Sequence, residues 1–243
     1  MSSRFTLYYW PIPFRAQFAR YLLAYRGENW DEPGMDALIE LYQAPINEQP
    51  MPFMAAPFFH DAEADLWLSQ APAITIYLGG HLGLMPGTPE KDALTLKVIC
   101  DCIDVLQELT LNCGAAMWDD DSWAEFAGNR FVRWLEIFEA VGARHGLQAD
   151  DGTMLGTSEP GVADLVCAAL WVTICDKLPE LEGLIAEHAP DTLALSNRIG
   201  ALPQIASLRA DQKKNWGNLW CEGEIEKSLR AALANWQHRP DSA

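Results

Sequence analysis

The sequence predicts a small mixed α+β domain followed by a larger all-α domain. Short β-forming runs alternate with helical patterns in the first third of the 243 residues, whereas strand signals nearly vanish after residue 90. A stretch rich in glycine and proline at residues 80–89 separates the two patterns. We therefore expect a first domain at residues 1–82 and a helical domain at 90–243, with 49% hydrophobic residues to fill the cores.

The first strand and helix are predicted from a change in hydrophobic period near the start of the chain. Residues 5–10 are rich in β-forming residues and are followed by a proline. From Phe14 to Tyr25 the apolar positions recur at helical spacing, and Gly27 is suited to end that helix. The polar segment 28–33 is predicted to form a short edge strand.

A helix, a hairpin and a further helix are predicted next. The helix is expected at residues 35–43 and is followed by a loop that contains several prolines. Strands at 58–61 and 65–68 flank a polar turn, which is the pattern of a β-hairpin. The helix predicted at 72–78 begins with a proline and ends at two successive glycines.

The remainder of the chain is predicted to be helical. The predicted helices lie at residues 90–115, 121–145, 161–177, 191–199 and 224–237. Neither an internal repeat nor a low-complexity segment is visible among them. This pattern indicates one all-α domain rather than a repeat array.

Composition excludes several classes of function. The net charge of −17 argues against nucleic acid and against an anionic membrane surface as partners. The six cysteines include no Cys-x-x-Cys pair, so a zinc site is not expected. No basic, apolar leader and no window of about 18 uninterrupted apolar residues is visible. We expect a protein of the reducing cytoplasm that binds no metal, with cysteines that act as small buried hydrophobic residues.

Three short segments carry a resemblance to a known family. They are Tyr9-Trp-Pro-Ile-Pro-Phe-Arg15-Ala-Gln-Phe-Ala-Arg20-Tyr-Leu-Leu, Ala56-Pro57-Phe-Phe and Gln70-Ala71-Pro. In this order they resemble the cytosolic glutathione transferases, and more narrowly a tyrosine-type, bacterial member of no assigned class. The resemblance implies an α+β N-terminal thioredoxin-like domain followed by an all-α C-terminal domain, the glutathione transferase fold.

The resemblance implies that Tyr9 activates a thiol and that Arg15 lies near the sulfur. A free thiol has a pKa of about 8.5, so few thiolates exist at neutral pH unless a donor such as a tyrosine hydroxyl stabilises the anion. The alternative for Tyr9 is a strand aromatic in a core, with Tyr8 on the opposite face. Arg15 is equally well explained as a solvated helix residue, and Arg20 as half of a structural ion pair.

Four further residues are implied to hold glutathione. Pro57 stands where the family keeps a cis proline, which lets the backbone of Ala56 pair with the peptide, although Pro50 and Pro52 compete for this position. Gln70 and Ala71 align with the site of the γ-glutamyl carboxylate. The family usually has serine or threonine at the second position, and losing that hydroxyl would cost about 1.5–3 kcal/mol of binding.

The helical region contains weaker signals. Asp101 lies where some family members send an acid across a dimer interface to the glutathione amine, but a solvated acidic helix face explains it as well. Gly161 stands where the family usually has a serine or threonine before the helix that contains Asp164. The tryptophans of the C-terminal segment are expected to pack that segment onto its own domain or to cover the pocket. Met117 and Trp118 are candidates for the pocket wall.

The resemblance implies a homodimeric detoxification enzyme. Its co-substrate would be glutathione, and its second substrate a small hydrophobic electrophile. A different class of function remains open, which is a non-catalytic binding or scaffold protein with a degraded glutathione site, and Ala71 favours it. A glutathione-dependent peroxidase or thiol-lyase would normally have a serine or cysteine in place of Tyr9.

Overall fold

A four-stranded mixed sheet forms the first part of the chain in a computed structural model that describes residues 3–237. The strands are β1 (Phe5–Tyr8), β2 (Trp30–Asp31), β3 (Phe58–Asp61) and β4 (Leu66–Ser69). Their order is β2-β1-β3-β4, with β2 parallel to β1 and both β3 pairings antiparallel. The predicted class, a mixed α+β region followed by helices, is confirmed. Residues 1–2 and 238–243, at the ends of the two predicted domains, lie outside the described residues.

The helices around the sheet are α1 (Gln17–Arg26), α2 (Met35–Gln43) and α3 (Ala71–His81). The prediction that α1 begins near Phe14 was wrong by nearly one turn. The two prolines that follow Trp10 disfavour helical backbone in the residues before them, so residues 11–16 form bends and turns instead. Helix α1 ends at Gly27, whose φ of 69° is the left-handed conformation expected there.

The rest of the described chain is helical. Its helices are α4 (Pro89–Leu109), α5 (Asp120–Glu125), α6 (Val132–Arg144), α7 (Val162–Lys177), α8 (Glu182–His188), α9 (Pro190–Gly200), α10 (Pro203–Trp216) and α11 (Gly223–Gln237). A wider π-helical turn at Phe126–Phe131 joins α5 to α6, a short turn lies at Leu111–Gly114, and a 3₁₀ turn lies at Pro179–Leu181. The sequence pattern missed α10, because its buried residues are only Ile205 and Gln212 and form no apolar stripe.

Helix α7 lies at the centre of the helical region. Its residues from Val162 to Ile174 are all buried, and it packs against α1, α4 and α9. A helix that is apolar on every side must be covered on every side, which explains its position. Within residues 3–237, no helix has both the length and the apolar character needed to cross a membrane.

Gly161 begins α7 for a steric reason. The Asp164 carboxylate accepts hydrogen bonds from the N–H groups of Gly161 (2.8 Å) and Met154 (2.6 Å). A Cβ atom at residue 161 would lie 2.9 Å from the Leu84 carbonyl oxygen, which itself accepts the Val162 N–H. The predicted helix start is therefore confirmed, and the glycine is explained by the close approach of the segment after α3.

Asp61 fixes the end of the interior strand β3 to its surroundings. Its buried carboxylate accepts two hydrogen bonds from Arg4, at 2.9 and 2.7 Å, and one from the Tyr77 hydroxyl at 2.6 Å. Burial alone would raise the pKa of Asp61, but the Arg4 and Tyr77 hydrogen bonds outweigh it and hold that pKa well below its usual range. The carboxylate thus stays ionised and joins β3 to the N-terminal segment and to α3.

Candidate functional site

A cavity of about 490 Å³ lies between the segment that follows β1 and the helical region. Its apolar wall includes Trp10, Ile12, Phe14, Met117 and Ile225, and its polar lining includes Tyr9, Arg15, Cys113, Cys221 and Glu222. A mostly apolar concave site with a few polar groups is the usual form of a small-molecule site. Among the described residues, no three His, Cys, Asp or Glu side chains come together in a way that could hold a metal ion.

Tyr9 lies at the base of this cavity with 6% of its surface exposed. Its hydroxyl oxygen accepts the backbone N–H of Arg15 at 3.3 Å, and no acceptor for the hydroxyl hydrogen lies among the described residues. Burial raises the pKa of Tyr9 above its usual range, and the nearby Arg15 opposes the shift only in part. Tyr9 is therefore a protonated hydroxyl whose hydrogen is available to a ligand.

Tyr8 has a different environment. It is the last residue of β1, and its ring stacks on Trp67 of β4 with centroids 5.6 Å apart. Burial raises the pKa of Tyr8 as well, but Tyr8 does not line the cavity. The two tyrosines therefore have separate surroundings, with Tyr8 against Trp67 and Tyr9 in the cavity.

Arg15 connects the segment after β1 to the end of α4. Its Nη2 atom donates to Gln107 Oε1 at 2.9 Å and to Cys113 Sγ at 3.2 Å. Its Nε atom is buried and has no partner among the described residues. Arg15 precedes α1 and lines the cavity, so the alternative of a solvated helix residue was wrong.

Ala56 and Pro57 lie beside Tyr9. The Ala56–Pro57 peptide bond is cis, which confirms the expectation for Pro57 against Pro50 and Pro52. Ala56 is buried and lines the same cavity, and Pro57 leads directly into β3. The structure thus brings Tyr9, Arg15 and Ala56 together.

Gln70 and Ala71 lie at the start of α3, away from the lining of this cavity. The N-cap residue is Gln70, in left-handed backbone with φ of 71°, so α3 begins one residue earlier than the predicted 72–78. No side chain caps the helix. Because Pro72 has no N–H, the amides of Ala71 and Ala73 are the donors left in the first turn.

Asp101 lies on α4 and does not line the cavity either. Its carboxylate accepts a hydrogen bond from Lys97, one turn earlier on the same helix. Burial raises the pKa of Asp101, and Lys97 opposes that shift. Within one chain, Asp101 is therefore paired locally rather than with the Tyr9 site.

Arg20 positions the segment that contains Tyr9. Its side chain is fully buried and pairs with Glu32 at 2.8 Å, which confirms the expected structural ion pair. It also donates to the carbonyl oxygens of Ile12 (2.7 Å) and Trp10 (3.4 Å). Burial alone would raise the pKa of Glu32, but the hydrogen bonds and charge of Arg20 outweigh it and lower that pKa.

Two cysteines of the cavity were missed. Cys113 and Cys221 both line it, although the cysteines were expected to be small buried residues. Cys113 reaches the cavity because Leu111, Asn112 and Cys113 all have left-handed backbone, with φ of 43°, 56° and 57°. Asn112 and Gly114, on either side of Cys113, are the local signals of this turn.

Of the two residues predicted for the pocket wall, one is confirmed. Met117 lines the cavity, whereas the buried Trp118 donates its indole N–H to the Leu109 carbonyl oxygen at 2.9 Å and does not. Trp220 packs edge-on against Phe14, with centroids 5.4 Å apart. The C-terminal tryptophans therefore pack the end of the described chain onto the body of the protein.

Comparisons with known proteins agree with this architecture. A family model described as the C-terminal domain of glutathione S-transferase matches residues 94–232. The solved structure of NaGST-2 is 20% identical, with 85% of this chain and 96% of that chain covered and a TM-score of 0.65. A Pi-class glutathione S-transferase of Onchocerca volvulus is 16% identical, with 90% of this chain and 98% of that chain covered and a TM-score of 0.70. A comparison with curated protein sequences finds no match.

The Arg20 network generates a stability prediction. Arg20→Met should lower the free energy of unfolding by about 3 kcal/mol. This is the lower end of the usual loss when one partner of a buried ion pair is removed, and it applies because the Glu32 side chain left behind is partly exposed to water. The matched control is Arg26→Met on the same helix, where an exposed arginine makes one hydrogen bond to Gly83 and the change should be below about 1 kcal/mol. Urea unfolding measures both variants, and equal small losses would contradict the prediction.

Proposed function

The chain belongs to the glutathione S-transferase family, and on this premise we propose that it activates the thiol of glutathione for attack on a small hydrophobic electrophile. The observation that carries the proposal is the buried, protonated Tyr9 hydroxyl in the cavity beside Arg15. We propose that residues 1–82 form the glutathione-binding domain and residues 90–243 the helical domain. The free cysteines of the described chain are compatible with the reducing cytoplasm that we propose as its location.

The proposed chemistry begins with ionisation of the thiol. A hydroxyl that donates to sulfur stabilises the thiolate more than the thiol and so lowers the pKa of the bound glutathione. Burial keeps the Tyr9 proton in place, because the tyrosinate form would be poorly solvated there. The Arg15 guanidinium adds positive charge on the same side of the cavity.

The electrophile is proposed to occupy the apolar part of the cavity. Ile12 and Phe14 come from the segment after β1, whereas Met117 and Ile225 come from the helical region. Apart from the Met117 sulfur, which accepts a hydrogen bond from the Ser228 hydroxyl at 3.6 Å, these side chains are hydrocarbon and favour a ligand by the apolar area that it buries. The electrophilic carbon would then lie next to the thiolate, which attacks it and forms the new carbon–sulfur bond.

The peptide part of glutathione is proposed to lie along Ala56 and the start of α3. Ala56 offers backbone groups next to Pro57, at the edge of the cavity. At the other end, the free amides of Ala71 and Ala73 and the positive end of the α3 dipole favour a carboxylate. Gln70 precedes these amides and is exposed, so its side chain is available to the same group.

A non-catalytic binding or scaffold protein is the second candidate. The observation that favours it is the uncapped start of α3, where Ala71 provides no hydroxyl for the carboxylate. In that case the apolar cavity would bind a ligand without activating a thiol. The Tyr9 and Ala71 experiments below distinguish the two candidates.

We further propose that the protein is a homodimer. Met54 and Ile46, between α2 and β3, are 83% and 71% exposed, and Leu96 on α4 is 44% exposed. Burying these apolar side chains against a second copy of the chain would be favourable. In such a dimer Asp101 could also contact the glutathione bound to the partner subunit.

The dimer has a direct test. Light scattering should give about twice the 27.1 kDa of one chain. Met54→Asp should shift the mass towards the monomer, because a carboxylate would be buried at the interface. Leu219→Asp, at an exposed apolar residue between α10 and α11, is the control and should leave the mass unchanged. A monomeric wild-type protein at micromolar concentration would remove the proposal.

Tyr9 is tested by removing one oxygen atom. Tyr9→Phe should lower the rate of conjugation by on the order of 10²-fold at neutral pH, the usual cost of one donor to a developing anion. The loss should shrink above about pH 9, where the thiol ionises without help. Tyr8→Phe is the matched control and should keep full activity. If all three proteins, each shown to be folded, conjugate an aromatic halide equally fast, Tyr9 has no such role.

Ala71 is tested by adding one oxygen atom. Ala71→Ser should tighten glutathione binding by about tenfold, because a hydrogen bond from a hydroxyl to a carboxylate contributes about 1.5 kcal/mol or more to the free energy of binding. Since Gln70 holds the cap position, the unliganded protein should change in stability by less than about 1 kcal/mol. Ala73→Ser, on the exposed side of the same turn, is the control. Calorimetric titration that finds unchanged affinity in Ala71→Ser would favour the scaffold candidate.

A further inference from the structure

The cavity contains a thiol of its own. Cys113 is exposed, lines the cavity, and has its Sγ atom 3.2 Å from Nη2 of Arg15. A thiolate, rather than a thiol, is the reactive form of cysteine, and a neighbouring guanidinium stabilises it. None of the chemistry proposed above uses this group.

Cys113 lines the same cavity as Tyr9, where the thiol of glutathione is proposed to bind. The backbone N–H of Arg15 binds the Tyr9 hydroxyl, whereas the Arg15 side chain binds Cys113. One residue therefore contacts both the proposed thiol-activating group and the cysteine.

The turn at Leu111–Gly114 holds this cysteine in place. The Cys113 N–H donates to the Thr110 hydroxyl at 3.3 Å, and Gln107 donates to the Asn112 side chain at 2.5 Å. Gln107 also accepts from Arg15, so the turn and the guanidinium share a partner. Left-handed backbone at three successive non-glycine residues is costly and persists because these contacts support it.

The other thiols of the described chain have less reactive surroundings. Burial and the charge of Glu226 raise the pKa of Cys221, the second cysteine of the cavity. Burial and the charge of Asp104 raise the pKa of Cys100, which is exposed on α4 outside the cavity. Cys102 and Cys167 are fully buried. Cys113 therefore combines exposure with a cationic contact.

We propose that Cys113 is a second thiol centre, activated by Arg15, that exchanges disulfides with glutathione inside the cavity. This proposal rests on the proposed function, because it needs glutathione to bind beside Tyr9. Its substrate class is a mixed disulfide between glutathione and a small thiol, or glutathione disulfide itself.

The exchange has two balanced steps. In the first, the Cys113 thiolate attacks the glutathione sulfur of the mixed disulfide, a Cys113–glutathione disulfide forms, and the small thiol leaves as a thiolate that takes up a proton. In the second, the thiolate of a glutathione held at Tyr9 attacks the glutathione sulfur of that adduct and releases glutathione disulfide and the Cys113 thiolate. The sulfur of the small thiol is reduced, the sulfur of the incoming glutathione is oxidised in its place, and the number of disulfides is unchanged, so no other oxidant is required.

The first test maps the adduct. The full-length protein is incubated with glutathione disulfide, and its mass and its peptides are measured without reductant. We expect one glutathionyl group per chain on Cys113, loss of the adduct in Cys113→Ser, and retention in Cys221→Ser and Cys100→Ser. Peptide mapping of the wild-type protein identifies the modified cysteine even if a variant fails to fold. An adduct on another cysteine, or none, would overturn the proposal.

Two probes separate this proposal from the proposed function. S-methylglutathione has no free thiol and reports glutathione binding by calorimetry, and a small aromatic disulfide reports Cys113 reactivity without a glutathione site. If S-methylglutathione binds and glutathione disulfide leaves Cys113 unmodified, the exchange proposal fails and the proposed function stands. If S-methylglutathione does not bind and Cys113 reacts with the aromatic disulfide alone, both fail.

The role of Arg15 is tested by the pH dependence of alkylation. Arg15→Gln should slow the reaction of iodoacetamide with Cys113 by about tenfold at neutral pH, the effect of one hydrogen bond from a charged donor. The two rates should converge at high pH, where the thiol ionises unaided. Arg15→Lys should restore part of the rate. A pH profile that is identical in wild type and Arg15→Gln would overturn activation by Arg15.

Discussion

The buried guanidinium of Arg20 holds the segment on which the candidate site depends. It pairs with Glu32, binds the carbonyl oxygens of Trp10 and Ile12, and lies 4.7 Å from the ring of Trp216 in the helical region. Because a buried charge is costly unless it is fully paired, these partners must stay in place together. The segment after β1 thus has one favourable path, which places Tyr9 at the base of the cavity.

The electrostatic character of the site follows from this path. Burial keeps Tyr9 protonated, and Arg15 brings a positive charge to the end of α4 without filling the cavity. The first part of the chain is held against the helical region by a reciprocal pair of hydrogen bonds between Gln17 and Gln212, at 2.8 and 2.9 Å. Catalysis through a preorganised donor needs this kind of fixed, water-poor environment.

Local patterns predicted most of the strands and helices. Strand β1 alternates between buried and half-buried residues and α4 buries one face, and the family resemblance singled out Tyr9 and the cis bond at Pro57. Helix α10 was missed because its exposed surface leaves no apolar stripe. Gly161 is a weak helix-start signal in the sequence, and its reason lies in the tertiary structure, where the Leu84 carbonyl oxygen leaves no room for a Cβ atom.

The sequence by itself determined the fold class, the order of the strands and helices along the chain, and the positions of Tyr9, Pro57 and Ala71 beside the elements that contain them. Hydrophobic period and turn chemistry are local, so they can be read from neighbouring residues. Only the tertiary structure decided that Arg15 contacts Cys113 and that Cys221 lines the same cavity, because these residues lie on segments far apart in the chain. Burial and electrostatic neighbours arise when such segments pack together, and no local pattern records them.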